Sequence, residues 1–144
     1  MTSFKHDMKN ILSILLICMA CIISCEKNTN NFPQANVNLN LFINNPEFFN
    51  LNNPGGWMYL NGGVGGILLY RPSFEEFIAY DRASPLNPNI DCQVEVSEDN
   101  IIINDPCSES LFLITDGSVI QGPATQALMR YNTYFDGQNL TIFN

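Results

Sequence analysis

The stretch that decides the fold class runs from Asn104 to Tyr131 and reads NDPCSESLFLITDGSVIQGPATQALMRY. It contains a short apolar run, Leu111–Ile114, followed by Asp-Gly at 116–117 and Gly-Pro at 122–123. Short apolar runs bounded by Gly, Pro and Asp are typical of β-strands joined by tight turns. The segment therefore predicts strands, and the rest of the chain extends this pattern.

Strand signals recur upstream and downstream of that stretch. NVNLNLFI, residues 36–43, alternates apolar and polar side chains, which indicates a half-buried strand. WMYLNGGVGGILLYR predicts a hairpin of Trp57–Leu60 and Gly66–Arg71. The pattern is completed by a strand around 77–81 and by hairpins at 92–104 and 128–143. A loop at 44–56 is expected to pin Phe48, Phe49 and Leu51 to the core. The sequence predicts an all-β domain of about eight to ten short strands.

The first 25 residues, MTSFKHDMKNILSILLICMACIISC, have a basic start and an apolar run from Ile11 to Ile23. This pattern predicts a secretory signal peptide at 1–24. Ile22-Ile23-Ser24-Cys25 resembles a bacterial lipobox, which implies that Cys25 is diacylated and anchors the chain in a lipid bilayer. Cys21 is a weaker candidate, and an ordinary cleaved signal or a single-pass anchor is the alternative.

The remaining chain divides into a polar tether, residues 25–36, and one β domain, residues 37–144. The full chain has 6 basic and 14 acidic residues. Without the leader, 4 basic and 13 acidic residues remain, which gives a net charge of −9. We therefore expect no nucleic-acid binding, and no polybasic patch for anionic lipid.

The residue inventory excludes most catalytic chemistry. The only histidine is His6, inside the leader, so the mature chain has no base for a Ser-His-Asp or Cys-His nucleophile and no histidine ligand for zinc. Cys92 and Cys107 are the only cysteines after Cys25, too few for a four-cysteine cluster. GGVGG lacks the lysine of a phosphate-binding loop. The inventory leaves a calcium site open, although no loop has a recognisable ligand spacing; its candidates are Asp81, Asp91, Asp99 and Asp105. The sequence predicts a protein that is not an enzyme.

From about residue 62 to 144 the sequence resembles Rieske-type [2Fe-2S] domains, and most of all their short lipoprotein versions in Bacteroidetes-like bacteria. GGILLYR and FIAYDRASP resemble the strands that lead into the first ligand loop, with the family pattern AYDRxCPH. DPCSESLFLITDGSVIQGPATQALMRY resembles the second ligand loop and the strands after it, CPCHGSxFD…GPAxxPLxxY. The resemblance implies a Rieske-like antiparallel β-sandwich with two loops at the cluster site.

In this alignment none of the four ligands of a Rieske cluster is present. The cysteine positions are Ser84 and Asp105, and the histidine positions are Leu86 and Ser108. Cys107 corresponds to a non-ligand cysteine that many such domains bond across the two loops, which implies a disulfide with Cys92. We therefore expect a degenerate cluster site without a bound cofactor or metal.

The sequence leaves three functions open. The first is a non-enzymatic envelope lipoprotein, on the periplasmic or outer-membrane face, that binds an unknown envelope protein partner. Tyrosines near the former site would form its contact patch, or else lie in the core; they are Tyr70, Tyr80, Tyr131 and Tyr134. The second is an electron-transfer protein that binds a [2Fe-2S] cluster with atypical ligands, and the third is a fold without a strong biochemical role.

Overall fold

The structure, a computed structural model, describes residues 32–88 and 91–144. It contains ten β-strands within these residues and one short 3-10 helix, Pro46–Leu51. The strands are β1 Asn38–Phe42, β2 Trp57–Leu60, β3 Ile67–Tyr70, β4 Ile78–Asp81, β5 Glu95–Val96, β6 Ile102–Asn104, β7 Leu111–Leu113, β8 Val119–Gln121, β9 Arg130–Phe135 and β10 Asn139–Phe143.

The strands form two antiparallel sheets. Six strands form the larger sheet, in the order β1-β10-β9-β4-β3-β2, and four form the smaller sheet, β5-β6-β7-β8. Every pair within them is antiparallel. The predicted all-β class and the strand count are confirmed. Among the described residues, no helix has the length and apolar character needed to cross a membrane.

The larger sheet has a hydrophobic cluster on each face. β3 and β4 are buried along their whole length because successive side chains point into opposite clusters. Leu69 and Ala79 pack with residues of β9 and β10 on one face. Leu68 and Tyr80 pack on the other face with Phe112 of the smaller sheet. Burial of one Leu side chain contributes about 1.5–3 kcal/mol, so this second cluster holds the smaller sheet firmly in place.

The loop before β2 differs from its prediction at one position. Phe48 and Leu51 are buried, as expected, but Phe49 is 73% exposed. The 3-10 helix explains the difference, since residues three apart lie on the same side of such a helix and the intervening residue points away.

Candidate functional site

Two loops meet beside the smaller sheet, and they contain the residues that the resemblance aligns with the Rieske ligand loops. The first loop follows β4, and its two ends, residues 82–84 and 92–94, pair with each other. The Val94 N–H donates to the Arg82 carbonyl at 2.7 Å, and the Ser84 N–H donates to the Cys92 carbonyl at 3.2 Å. The second loop is the tight connection between β6 and β7. Its ends are held by the Asp105 N–H, which donates to the Ser110 carbonyl at 2.9 Å.

Ser84 and Asp105, the two cysteine positions of the resemblance, lie in contact with each other. Both are fully buried, and the Ser84 hydroxyl donates a short hydrogen bond to Asp105 Oδ2. This bond joins the first loop to the second across 21 residues of sequence. In a Rieske domain the corresponding side chains would both bind iron, whereas here they bind one another.

The Asp105 carboxylate is the centre of a larger polar network. Its Oδ2 also accepts from the Ser108 hydroxyl at 2.6 Å, and its Oδ1 accepts from the N–H groups of Cys107 at 3.0 Å and Ser108 at 3.4 Å. The Ser108 hydroxyl lies 2.8 Å from that of Ser110, which in turn accepts from the Ala124 N–H at 2.9 Å. Ser84, Asp105 and Ser108, three of the four positions that the resemblance aligns with cluster ligands, therefore belong to one hydrogen-bonded network.

This network sets the charge state of Asp105. Burial acts to raise the pKa of the carboxyl group, but the hydrogen bonds from Ser108, Ser84 and two backbone N–H groups outweigh it and hold the pKa below its ordinary value. Asp105 is therefore ionised at neutral pH. A buried carboxylate with this many donors stabilises the loop because removing it would leave the donors unpaired.

A disulfide joins the same two loops at a second point. Cys92 and Cys107 are bonded, with their Cα atoms 5.9 Å apart, and the predicted disulfide is confirmed. Cys92 is half-buried and Cys107 is exposed. The two loops are thus joined by one covalent bond near the surface and by the buried Ser84–Asp105 hydrogen bond.

The residues present do not fit a Rieske cluster. Leu86, at one histidine position, is 49% exposed and has no atom that binds iron. Ser108, at the other, is engaged with Asp105, and both cysteine sulfurs of the described residues are bonded to each other. The described part of the chain also contains no cluster of three or more His, Cys, Asp or Glu side chains arranged to hold a metal ion. The donor set therefore lacks both the thiolates and the imidazoles that this cofactor requires.

A second buried carboxylate, Asp81, was not identified as structurally important from the sequence. It accepts from the N–H groups of Val64 at 2.6 Å and Gly65 at 2.9 Å, and from the Tyr131 hydroxyl at 2.5 Å. Gly63 has a φ of 69°, and a Cβ there would clash with the carboxylate. GGVGG therefore forms an anion cradle whose anion belongs to the same chain. The signal available in the sequence was a run of glycines followed by two strands, the second of which ends in Asp81.

For the four tyrosines, the core alternative is confirmed at three positions and the contact patch is wrong there. Tyr70, Tyr80 and Tyr131 are buried, and only Tyr134 is exposed. Burial first, and then the neighbouring Asp81 carboxylate, raise the pKa of Tyr131. Burial likewise raises the pKa of Tyr80, whose hydroxyl donates to the Ile114 carbonyl at 3.1 Å. These side chains stabilise the core and are not available for a partner.

Cys25 and the leader lie outside the described residues, as does most of the tether, so the lipidation site and the domain boundaries stay predictions. Of the calcium candidates, Asp81 and Asp105 are occupied by the hydrogen bonds described above. Asp99 accepts from the N–H groups of Ile101 and Ile102 in the turn before β6.

Ten antiparallel strands in two sheets, with a disulfide that joins the loop after β4 to the β6–β7 connection, define an all-β domain with a Rieske-like fold. Among solved structures, the chain is similar to the cyanobacterial plasma membrane Rieske protein PetC3 from Synechocystis PCC 6803. The TM-score is 0.51 and the identity 25%, over 61% of this chain and 86% of that chain.

A second similar structure is the ferredoxin of carbazole 1,9a-dioxygenase from Nocardioides aromaticivorans IC177, with a TM-score of 0.43 and 13% identity, over 63% of this chain and 86% of that chain. No family model matches the sequence, and no curated protein matches it.

Proposed function

We propose that this chain is an envelope lipoprotein whose Rieske-like domain binds no [2Fe-2S] cluster and acts as a non-enzymatic binding or accessory protein. The observation that supports this proposal best is the hydrogen-bonded network at the former ligand positions. Ser84, Asp105 and Ser108 satisfy one another, and the two remaining cysteine sulfurs form a disulfide.

The energetics of the two loops explain how the fold tolerates loss of the cofactor. Ordering a loop residue costs about 1–2 kcal/mol of backbone entropy, and a bound cluster would offset this cost by crosslinking the loops. Here the disulfide and the Ser84–Asp105 bond provide that crosslink. Binding iron at these positions would require breaking a buried network whose carboxylate already has four donors.

The proposed location rests on the leader. A lipobox-like run ending at Cys25 would give acyl chains, each buried CH₂ of which contributes about 0.8 kcal/mol to anchoring. The acidic chain that follows favours an envelope protein partner over nucleic acid. We place the domain at the periplasmic or outer-membrane face.

Two experiments test the proposal. For the missing cofactor, the mature domain is treated anaerobically with Fe³⁺ and sulfide beside a control variant that carries the four ligands of the family pattern, Ser84→Cys, Leu86→His, Asp105→Cys and Ser108→His. We expect the control to gain visible absorbance and an EPR signal on reduction, and the wild-type domain to gain neither. A wild-type domain that assembles a cluster would overturn the proposal.

For the anchor, the full chain is expressed with Cys25→Ala beside Cys21→Ala. We expect the Cys25 variant to leave the membrane fraction and the Cys21 variant to stay there. Retention of the Cys25 variant in membranes would show that the lipid anchor is wrongly assigned.

A further inference from the structure

Strand β2 has an open edge. Among the described strands it is the last in the larger sheet and pairs only with β3. Beyond the strand end, the Arg71 N–H donates to the Gly56 carbonyl at 2.9 Å and the Gly55 N–H donates to the Arg71 carbonyl at 2.8 Å, so Gly55 and Gly56 form a bulge opposite Arg71. Since hydrogen-bonded and non-bonded pairs alternate, Met58 and Leu60 bond to β3. The N–H and C=O groups of Trp57 and Tyr59 therefore point to the open edge.

A pocket of about 480 Å³ lies along this edge. The three consecutive residues Trp57, Met58 and Tyr59 line it. The other lining residues are Gly55-Gly56 of the preceding loop, Asn50 of the 3-10 helix, and Asn100. Consecutive strand residues alternate between faces, so a pocket that touches all three follows the backbone edge of the strand. Edge backbone of this kind is a template for a further strand.

The walls of the pocket are already ordered. The Trp57 Nε1–H donates to Asn100 Oδ1 at 2.8 Å, and the ring centroids of Trp57 and Tyr59 lie 5.1 Å apart. The Arg82 guanidinium stacks on Tyr59 at 3.6 Å from the ring centroid, and the Tyr59 hydroxyl accepts from the Val96 N–H at 2.9 Å. A preordered site lowers the entropy cost of binding.

The charges around the pocket select its ligand. No Asp, Glu, Lys or Arg side chain lines the pocket itself. Glu98 and Asp99, both exposed, directly precede Asn100, which does line it. Hydrogen bonds from Ile101 and Ile102 lower the pKa of Asp99, so its charge persists below neutral pH. The Arg82 guanidinium, which stacks on Tyr59, brings a positive charge to the Tyr59 part of the pocket. The end near Asn100, beside Glu98 and Asp99, is therefore the part that favours a cationic side chain.

We propose that β2 binds an extended peptide segment of a partner protein, which adds a strand to the larger sheet and places a basic residue near Glu98 and Asp99. The inference deepens the proposed binding function and rests on it. Backbone hydrogen bonds to Trp57 and Tyr59 supply register, and alternate side chains of the peptide enter the pocket.

The test uses a small set of capped heptapeptides with alternating Val or Ile and Thr and a Lys at each end, titrated into the ¹⁵N-labelled mature domain. We expect the largest amide shifts at Trp57 and Tyr59. Tyr59→Pro removes the outward N–H without touching the β2–β3 ladder, and Tyr59→Ala is the matched control that loses the same side chain. We expect Tyr59→Pro to bind about tenfold more weakly than Tyr59→Ala.

Glu98→Lys provides a second variant, on the surface. We expect it to lower the affinity for the Lys-ended peptides about two- to fivefold, and we expect this difference to disappear at high salt. Equal binding by Tyr59→Pro and Tyr59→Ala, no binding by any peptide of the set, or self-association of the free domain through β2 would overturn the inference. Each of these results would leave the cluster-free function standing, whereas a reconstituted cluster in the wild-type domain would remove that function irrespective of the peptide.

Discussion

The Cys92–Cys107 disulfide closes a loop whose length determines how much the bond stabilises the fold. Cys92 and Cys107 are 15 residues apart. In the chain-entropy model, crosslinking a loop of this length stabilises the folded state by about 3 kcal/mol. We therefore expect Cys92→Ala/Cys107→Ala to lose about 3 kcal/mol of unfolding free energy. The variant should still fold because the Ser84–Asp105 hydrogen bond continues to join the two loops.

Urea unfolding of the mature domain measures this loss, with Trp57, the single tryptophan, as the fluorescent probe. For an m-value of about 1–2 kcal/mol/M, the midpoint falls by about 1.5–3 M. Dithiothreitol serves as the control, since it should bring the wild type to the stability of the variant and leave the variant unchanged. A loss below about 1 kcal/mol, or an effect of the reductant on the variant, would refute the argument that the disulfide ties the loops.

Three further substitutions test two polar contacts and one strained backbone position. Asp105→Asn should cost about 1.5–3 kcal/mol at neutral pH, from urea midpoints. The folded pKa of Asp105 is depressed, so the stability that the carboxylate contributes is present above about pH 3.9 and is lost as the pH falls through the lower folded pKa. The Asn variant should therefore lose less unfolding free energy than the wild type between about pH 4 and 2. Identical losses in the two proteins would contradict this. Tyr131→Phe should lose a similar amount at about pH 7. The pKa of Tyr131 is raised in the folded state, so the stability that its hydroxyl contributes is present below about pH 10 and is lost above it. The Phe variant should therefore lose less unfolding free energy than the wild type between about pH 9 and 11. An unchanged alkaline profile would count against the Tyr131–Asp81 contact. Glu109 has a φ of 61°, at a position where the Rieske pattern that the sequence resembles has glycine. Glu109→Gly should therefore increase the unfolding free energy by up to about 1 kcal/mol and raise the thermal midpoint. A lower midpoint would contradict the inference that this position is strained.

Much of the fold could be predicted from local pattern. The alternation in β1 and the glycine turn between β2 and β3 are properties of neighbouring residues, so the sequence alone indicated these strands. The disulfide was implied by the resemblance to Rieske-type domains. Phe49 was misplaced because the geometry of a 3-10 helix, not its hydrophobicity, decides which side it faces.

The contacts that define the site could not be predicted because they join distant residues. Ser84 and Asp105 are 21 residues apart, and Asp81 and Tyr131 are 50 apart. The alignment placed Ser84 and Asp105 at ligand positions, but only the fold shows that they bond to each other. The open edge of β2 likewise depends on sheet order, which periodicity does not reveal.

The most direct measurement is the iron and acid-labile sulfide content of the full chain purified anaerobically from membranes. A domain that binds no cluster should contain well under one iron per chain and no sulfide. About two irons and two sulfides per chain, the content of a [2Fe-2S] cluster, would contradict it.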